Sequence, residues 1–247
     1  MPWPGELISN QFFDRDAQEV ARDLLGLVLA HRPPHQSDQW LMARIIETEA
    51  YYLHDRASHA SLGFTEKRRG LFMPPGTIYM YYARGGDSFN ISCRGEGNAV
   101  LIKSALPWVD APGHAAMVAR MQKQNPLPDG SSRPVERLCA GQTLLCRALG
   151  LKVPQWDQQN FDPSRLVLLD VGQPPSQIVR TTRLGIPPGR DGHLPYRFVD
   201  YDQARFCTRN PLTRRGPKPL IEPVAPSQSP GKPSKPAPQF KSADDND

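Results

Sequence analysis

The segment that most narrows the fold is the run from Leu41 to Tyr51, eleven residues of apolar and β-prone side chains. It reads as one long strand. Further strand-like stretches lie at Gly76 to Tyr82, Phe89 to Ser92, Val100 to Ala105, Leu166 to Val171 and Tyr196 to Val199. The first two flank a turn at Arg84-Gly85-Gly86-Asp87. Helical spacing appears at Asp16 to Leu29, with Val20, Ala21, Leu24 and Leu25 on one side after a cap at Asp14 or Asp16. Two more helices are expected at Ala115 to Gln124 and at Pro134 to Leu149, the latter stopped by Gly150. Strands and helices do not alternate with a regular βαβ rhythm, so the pattern predicts an α+β domain, not a doubly wound sheet.

Composition limits the function classes. The chain of 247 residues has 38 % hydrophobic and 22 % charged residues, ordinary for a globular protein. No apolar run is long enough to span a bilayer, and the N-terminal residues lack signal-peptide features. An intracellular location, cytoplasmic or with the nucleoid, is the expectation. The formal net charge of +5 suits a polyanionic partner, and a mildly basic protein without one is an equal alternative on charge alone. Cys93, Cys139, Cys146 and Cys207 form no C-x-x-C pair, and no H-E-x-x-H occurs, so reduced thiols and no metal are expected. Cys139 and Cys146, seven apart, fit the buried stripe of a helix. From residue 215 to 247 the chain is rich in Pro, Ser and Lys, and it is read as a disordered tail behind a single domain spanning 1–214.

The chemistry is concentrated in Ile45-Ile46-Glu47-Thr48-Glu49-Ala50-Tyr51. Strand alternation places Glu47, Glu49 and Tyr51 on one face and Ile46, Thr48 and Ala50 on the other. Two carboxylates beside apolar residues are costly unless wet or paired, and close carboxylates can divide acid and base work. A solvated edge strand produces the same pattern. Downstream, Tyr79 and Tyr81 share a face near Arg68, Arg69 and Asn90. Such a set suits a stacking pocket for a base, and equally a core tyrosine ladder.

Taken in order, these segments resemble the alkyladenine (3-methyladenine, methylpurine) DNA glycosylase family. The matching pieces are Phe12-Phe13-Asp14 with Ala21-Arg22 and Leu24-Leu25-Gly26, Glu47-Thr48-Glu49-Ala50-Tyr51, Ser58-His59-Ala60, Met73 to Tyr81, Asn90-Ile91-Ser92, Leu138-Cys139-Ala140-Gly141 with Leu145 to Gly150, Arg183-Leu184-Gly185-Ile186 and Pro195-Tyr196-Arg197-Phe198. The resemblance implies a curved, mostly antiparallel sheet with surrounding helices and a protruding β-hairpin that enters DNA. It implies a monofunctional glycosylase acting on damaged purines in double-stranded DNA by base flipping, with no cofactor. In this reading Glu49 is the general base and Lys103 stands where the family usually has an arginine holding water and phosphate. Tyr51 and Tyr81 sandwich the extruded base, His59 forms another wall, and Asn90 screens out guanine. A cationic alkylated purine needs little beyond a carboxylate, an aromatic cage and extrusion.

Two departures stand out. The hairpin Tyr81 to Asp87 is one residue shorter than the family's and has no tyrosine at its tip, leaving Arg84 or Tyr82 as the wedge. Gln142-Thr143 stands where the family commonly has a proline. The rival readings are a catalytically impaired binder of damaged DNA with the same fold, and a bifunctional enzyme using Lys103 as a Schiff-base nucleophile. A zinc deaminase lacks its ligand motifs here. A monomer is the simplest expectation.

Overall fold

The structure is a computed structural model that describes residues 3–34, 39–83, 85–213 and 218–224. Its frame is a single antiparallel sheet organised around β3 (Leu41–Tyr51). Along one edge of β3 lies β6 (Ala99–Pro107), followed outward by β5 (Gly86–Ser92) and β4 (Ile78–Ala83). The other edge is divided. Its first part pairs with β2 (Val28–His31), which leads to β7 (Leu166–Asp170) and β1 (Glu6–Leu7). Its later part, Glu47 to Glu49, pairs with β9 (Arg197–Asp200), which leads to β8 (Gln177–Thr181) and β10 (Leu220–Pro223). The α+β expectation is met.

Bulges govern what β3 presents. Ile45 pairs with Ala105 and Glu47 with Ser104, which leaves Ile46 as an extra residue; Thr48 pairs with Ile102, which leaves Lys103 extra on β6. An extra residue breaks strict alternation and re-aims the side chains around it. Ile46 therefore joins a small cluster with Val179, Val199 and Cys207, apart from Ala50 in the main core. Thr48 keeps to the side of Ala50, its hydroxyl donating at 2.6 Å to the carbonyl of Ala21, a residue of that same core. The expectation that Ile46, Thr48 and Ala50 share a face is corrected at Ile46 alone, the bulged residue. Lys103 and Ser104, although consecutive, both reach glutamates of β3.

Among the described residues four α-helices accompany the sheet: α1 (Ala17–Asp23), α2 (His114–Gln124), α3 (Gln142–Leu149) and α4 (Val153–Trp156). The Asp16 carboxylate caps α1 by accepting from the Gln18 amide at 2.8 Å. The helix does not continue to Leu29. Gly26 has a φ of +92°, and a Cβ there would lie 2.6 Å from the Gln173 carbonyl oxygen, so the chain turns and Val28 enters the sheet as β2. The single helix expected from Pro134 to Leu149 is likewise broken, because Gly141 adopts a φ of +122°. Only a short 3-10 turn, Val135–Arg137, precedes the break. Cys139 thus lies outside α3, yet it stays buried while its carbonyl accepts from the Ala105 amide at 3.1 Å. Gly150, left-handed at a φ of +70°, ends α3 as expected.

The domain boundary after residue 214 also needs correction. Leu220–Pro223 pairs with β8, and Glu222 accepts from Arg22 at 3.1 Å. Residues 225–247 of the expected tail lie outside the described residues. Among the described residues no helix is long and apolar enough to cross a membrane.

One buried histidine ties β2 to α3 and α4. His31 lies 2.7 Å from the Leu149 carbonyl through Nδ1, and its Nε2 accepts from the Trp156 indole at 3.1 Å. These contacts fix the neutral tautomer, and burial lowers its pKa to about 4. A histidine depressed in the folded state contributes full stability above its unfolded pKa of 6.5 and loses it as pH falls toward 4. Unfolding free energy should therefore drop by about 3 kcal/mol across that window from this group alone. Urea titrations at several pH values would show it. A His31→Gln protein as acid-sensitive as the wild type would contradict the assignment.

Candidate active site

A cavity of about 630 Å³ opens beside the Tyr51 end of β3 and beside β4 and β6. Tyr81 and Tyr79, two apart on β4, stack at a centroid separation of 5.6 Å and an interplanar angle of 28°. His59 comes from a 3-10 turn, His59–Leu62, capped by the Ser58 hydroxyl. Its ring lies 4.4 Å from that of Tyr81, and its Nδ1 is 3.0 Å from the Tyr79 hydroxyl. Burial, then Arg68 and Arg190, depress the His59 pKa below its ordinary value. The imidazole is thus neutral at neutral pH, and the aromatic wall can meet a cationic guest without repulsion. Tyr51, His59, Tyr81, Asn90 and Lys103 all line this one cavity.

Glu49 lies fully buried behind that wall. Its Oε2 accepts from the Tyr51 hydroxyl at 2.7 Å and from Lys103 Nζ at 3.4 Å. Its Oε1 accepts from the Leu184 amide at 3.3 Å. A carboxylate offers about four acceptor positions, so one on Oε1 is left for a further donor. Burial, then the Glu49 carboxylate, raises the Tyr51 pKa well above the ordinary value, so its hydroxyl remains a donor. Lys103, re-aimed by the β6 bulge, also reaches Gln142 Oε1 at 3.5 Å. Sequence reasoning noted Gln142 only as a departure from a proline.

Glu47 takes a different role. It is paired with Arg197 at 2.6 Å, and it accepts from Ser104 and from the Thr208 amide and hydroxyl. Every partner is satisfied inside the protein, which removes Glu47 from the chemistry that alternation left open to it. Thr208 itself lines the cavity and was not anticipated.

Arg183 and Asp55 were also missed as a pair. Both side chains are fully buried. Arg183 donates twice to Asp55 and once to the Ala50 carbonyl at 3.1 Å. Its guanidinium lies 4.6 Å from the Tyr51 ring centroid and 5.3 Å from that of Tyr196. The pair holds the Tyr51 ring from behind and places Leu184, one residue on, against Glu49. In sequence an arginine in a polar stretch looks like any surface arginine, and its partner lies 128 residues away.

Asn90 is buried, its amide donating to the Tyr79 carbonyl at 3.1 Å. Across the β4–β5 hairpin, Tyr82 pairs with Asp87 and Ala83 with Gly86, so the strands are joined by a tight turn that includes Gly85. Gly85, at a φ of +82°, supplies the left-handed conformation such a turn needs. Asp87 anchors the hairpin by accepting from the Val153 amide at 2.9 Å and pairing with Lys152. Tyr82 is 69 % exposed, whereas Arg84, the preferred wedge, lies outside the described residues.

The sequence comparisons meet this geometry. A family model described as methylpurine-DNA glycosylase matches residues 11–204, a span holding every cavity residue named above except Thr208. The chain belongs to the methylpurine-DNA glycosylase family. It is 63 % identical over 207 residues to a Pseudomonas syringae pv. tomato protein named "Putative 3-methyladenine DNA glycosylase", covering 84 % of this chain and 92 % of that one. A Pseudomonas aeruginosa protein of the same name is 62 % identical over 215 residues, 87 % of this chain and 89 % of the relative. The human DNA-3-methyladenine glycosylase is 34 % identical over 198 residues, 76 % of this chain and 63 % of the human protein. This methylpurine-DNA glycosylase is therefore a hydrolase that acts on DNA carrying alkylated bases. Among its described residues no group of three or more His, Cys, Asp or Glu is arranged to hold a metal ion.

Proposed function

We propose that this glycosylase rotates an alkylated or deaminated purine out of double-stranded DNA, stacks it between Tyr51 and Tyr81 beside His59, and releases it by a water that Glu49 deprotonates. The observation that carries this reading is the one remaining acceptor position of Glu49, on a carboxylate whose other contacts join it to the cavity wall. A water donating to that position gives its proton to Glu49 as its oxygen bonds to C1′. The purine leaves with the electron pair of the glycosidic bond. A cationic methylpurine departs as a neutral base, so this step needs no acid. Lys103, at the cavity wall and 12 % exposed, steadies the carboxylate and favours a nearby phosphate. Asn90, pinned to a backbone carbonyl, presents a fixed obstacle to the exocyclic amine of guanine. All these groups come from one chain, so a monomer suffices.

Lys103 is engaged as a donor to Glu49 and Gln142, the opposite of what a Schiff-base nucleophile requires. Borohydride treatment of the enzyme reacting on methylated duplex should trap no covalent adduct, and a trapped species would establish a lyase step. Arg84→Ala is expected to weaken lesion-duplex binding more than single-turnover release. Equal affinities for mutant and wild type would exclude Arg84 as the wedge. A release assay on duplexes with 3-methyladenine, 7-methylguanine, hypoxanthine or ethenoadenine tests the reading as a whole. Failure to release any of them would favour the impaired-binder alternative.

A further inference from the structure

On the same rim as the cavity mouth, the loop after His59 exposes two large apolar side chains, Leu62 at 58 % and Phe64 at 56 %. Leu62 also lines the cavity, as does Ala83 at the base of the hairpin tip, so loop and hairpin border the same opening. The loop is held in shape. Arg68 donates to the carbonyls of Leu62 and Gly63, and the Phe64 ring packs edge-on against Phe72 at 5.5 Å. Gly63, at a φ of +79°, makes the turn that separates the two side chains. Beside them Lys67, Arg68 and Arg69 add three positive charges, with Glu66 paired to Arg69 at 3.8 Å. A rigid loop that offers apolar side chains to solvent inside a basic frame is matched to one kind of surface. Its charges meet phosphates, while the apolar pair meets a base step opened beside an extruded nucleotide.

We infer that Leu62 and Phe64 form a second DNA wedge, which packs against the base step flanking the flipped nucleotide from the bank opposite the hairpin. The inference rests on the base-flipping reading above and extends it by assigning a contact to a loop outside the hairpin. It divides the work within the loop: Phe64 supplies apolar contact, and Lys67 and Arg69 supply phosphate contact.

The test uses the full chain and a duplex carrying a tetrahydrofuran abasic analogue with 2-aminopurine beside it. Wild type should bind and brighten the 2-aminopurine as its step unstacks. Phe64→Ser should bind roughly tenfold more weakly, in keeping with the measured loss of one stacking contact. It should lose most of the brightening while keeping the wild-type slope of log affinity against log salt. Phe64→Trp should restore both signals. Lys67→Ala and Arg69→Ala should do the reverse, each lowering the salt slope by about one and sparing the brightening. Phe64→Ser with wild-type affinity and wild-type brightening overturns the second wedge and leaves base flipping intact. Wild type that neither binds nor brightens this duplex overturns the flipping reading along with it. A Phe64→Ser protein that loses affinity only by losing its circular dichroism, with Phe64→Trp equally weak, also counts against the wedge.

Discussion

Glu49→Gln is expected to cut single-turnover release of methylated purines by about 10²- to 10⁴-fold, the range for loss of a general base. Glutamine keeps the size of the side chain and can still accept from Tyr51, Lys103 or the Leu184 amide, but it cannot take a proton from water. Affinity for an abasic-analogue duplex should therefore stay near wild type. Glu49→Asp withdraws the carboxylate from its three donors by one methylene and should retain a small fraction of activity. Release by Glu49→Gln at the wild-type rate would end the general-base assignment. Equal loss of affinity and rate would instead give Glu49 a structural role. The fully internal bonding of Glu47 makes the contrast useful: Glu47→Gln should disturb folding before it disturbs chemistry.

The second large effect concerns the platform behind the site. Arg183→Met leaves Asp55 buried without its partner, and breaking such a pair from one side costs about 3–5 kcal/mol, or roughly 6–20 °C in Tm for a chain of this size. Thermal unfolding followed by circular dichroism would measure it. The change should also reach the site, because the Tyr51 ring loses its backing cation and Leu184 loses the residue that anchors it. Methylated-duplex KM should rise even at temperatures where the variant is folded. Arg183→Lys should rescue little, since an ammonium cannot serve two carboxylate oxygens and a carbonyl while lying over two rings. Unchanged stability in Arg183→Met would mean that the buried contacts with Asp55 and Ala50 contribute nothing net.

Much of the site was legible because its parts lie close together in the chain. Glu49 and Tyr51 share a strand face by alternation alone, as do Tyr79 and Tyr81, and the ordered motifs led to the family. The hidden members are those whose partners are remote. Arg183 with Asp55, Thr208 with Glu47, and the Leu184 amide with Glu49 join segments that neither period nor spacing connects. The helix boundaries failed for a local reason. Apolar residues around Gly26 and Gly141 fit a helical stripe, but both glycines take positive φ values that end it, and at Gly26 the close backbone of Gln173 leaves no room for a side chain. Strand β10 failed through composition, since a short run among prolines and lysines looks unable to order until β8 offers it an edge.

By itself the amino-acid order determined the α+β class, the long central strand with its carboxylates, and the aromatic and basic residues of the family, because these follow from side-chain periodicity and local motif. The tertiary structure alone decided that Glu47 is sealed in an ion pair with Arg197, whereas Glu49 bonds to Tyr51 and Lys103, two residues that line the cavity. That choice depends on bulges at Ile46 and Lys103 and on donors from distant loops. Hydrogen bonds act over about 3 Å, and only the folded chain brings those donors that near.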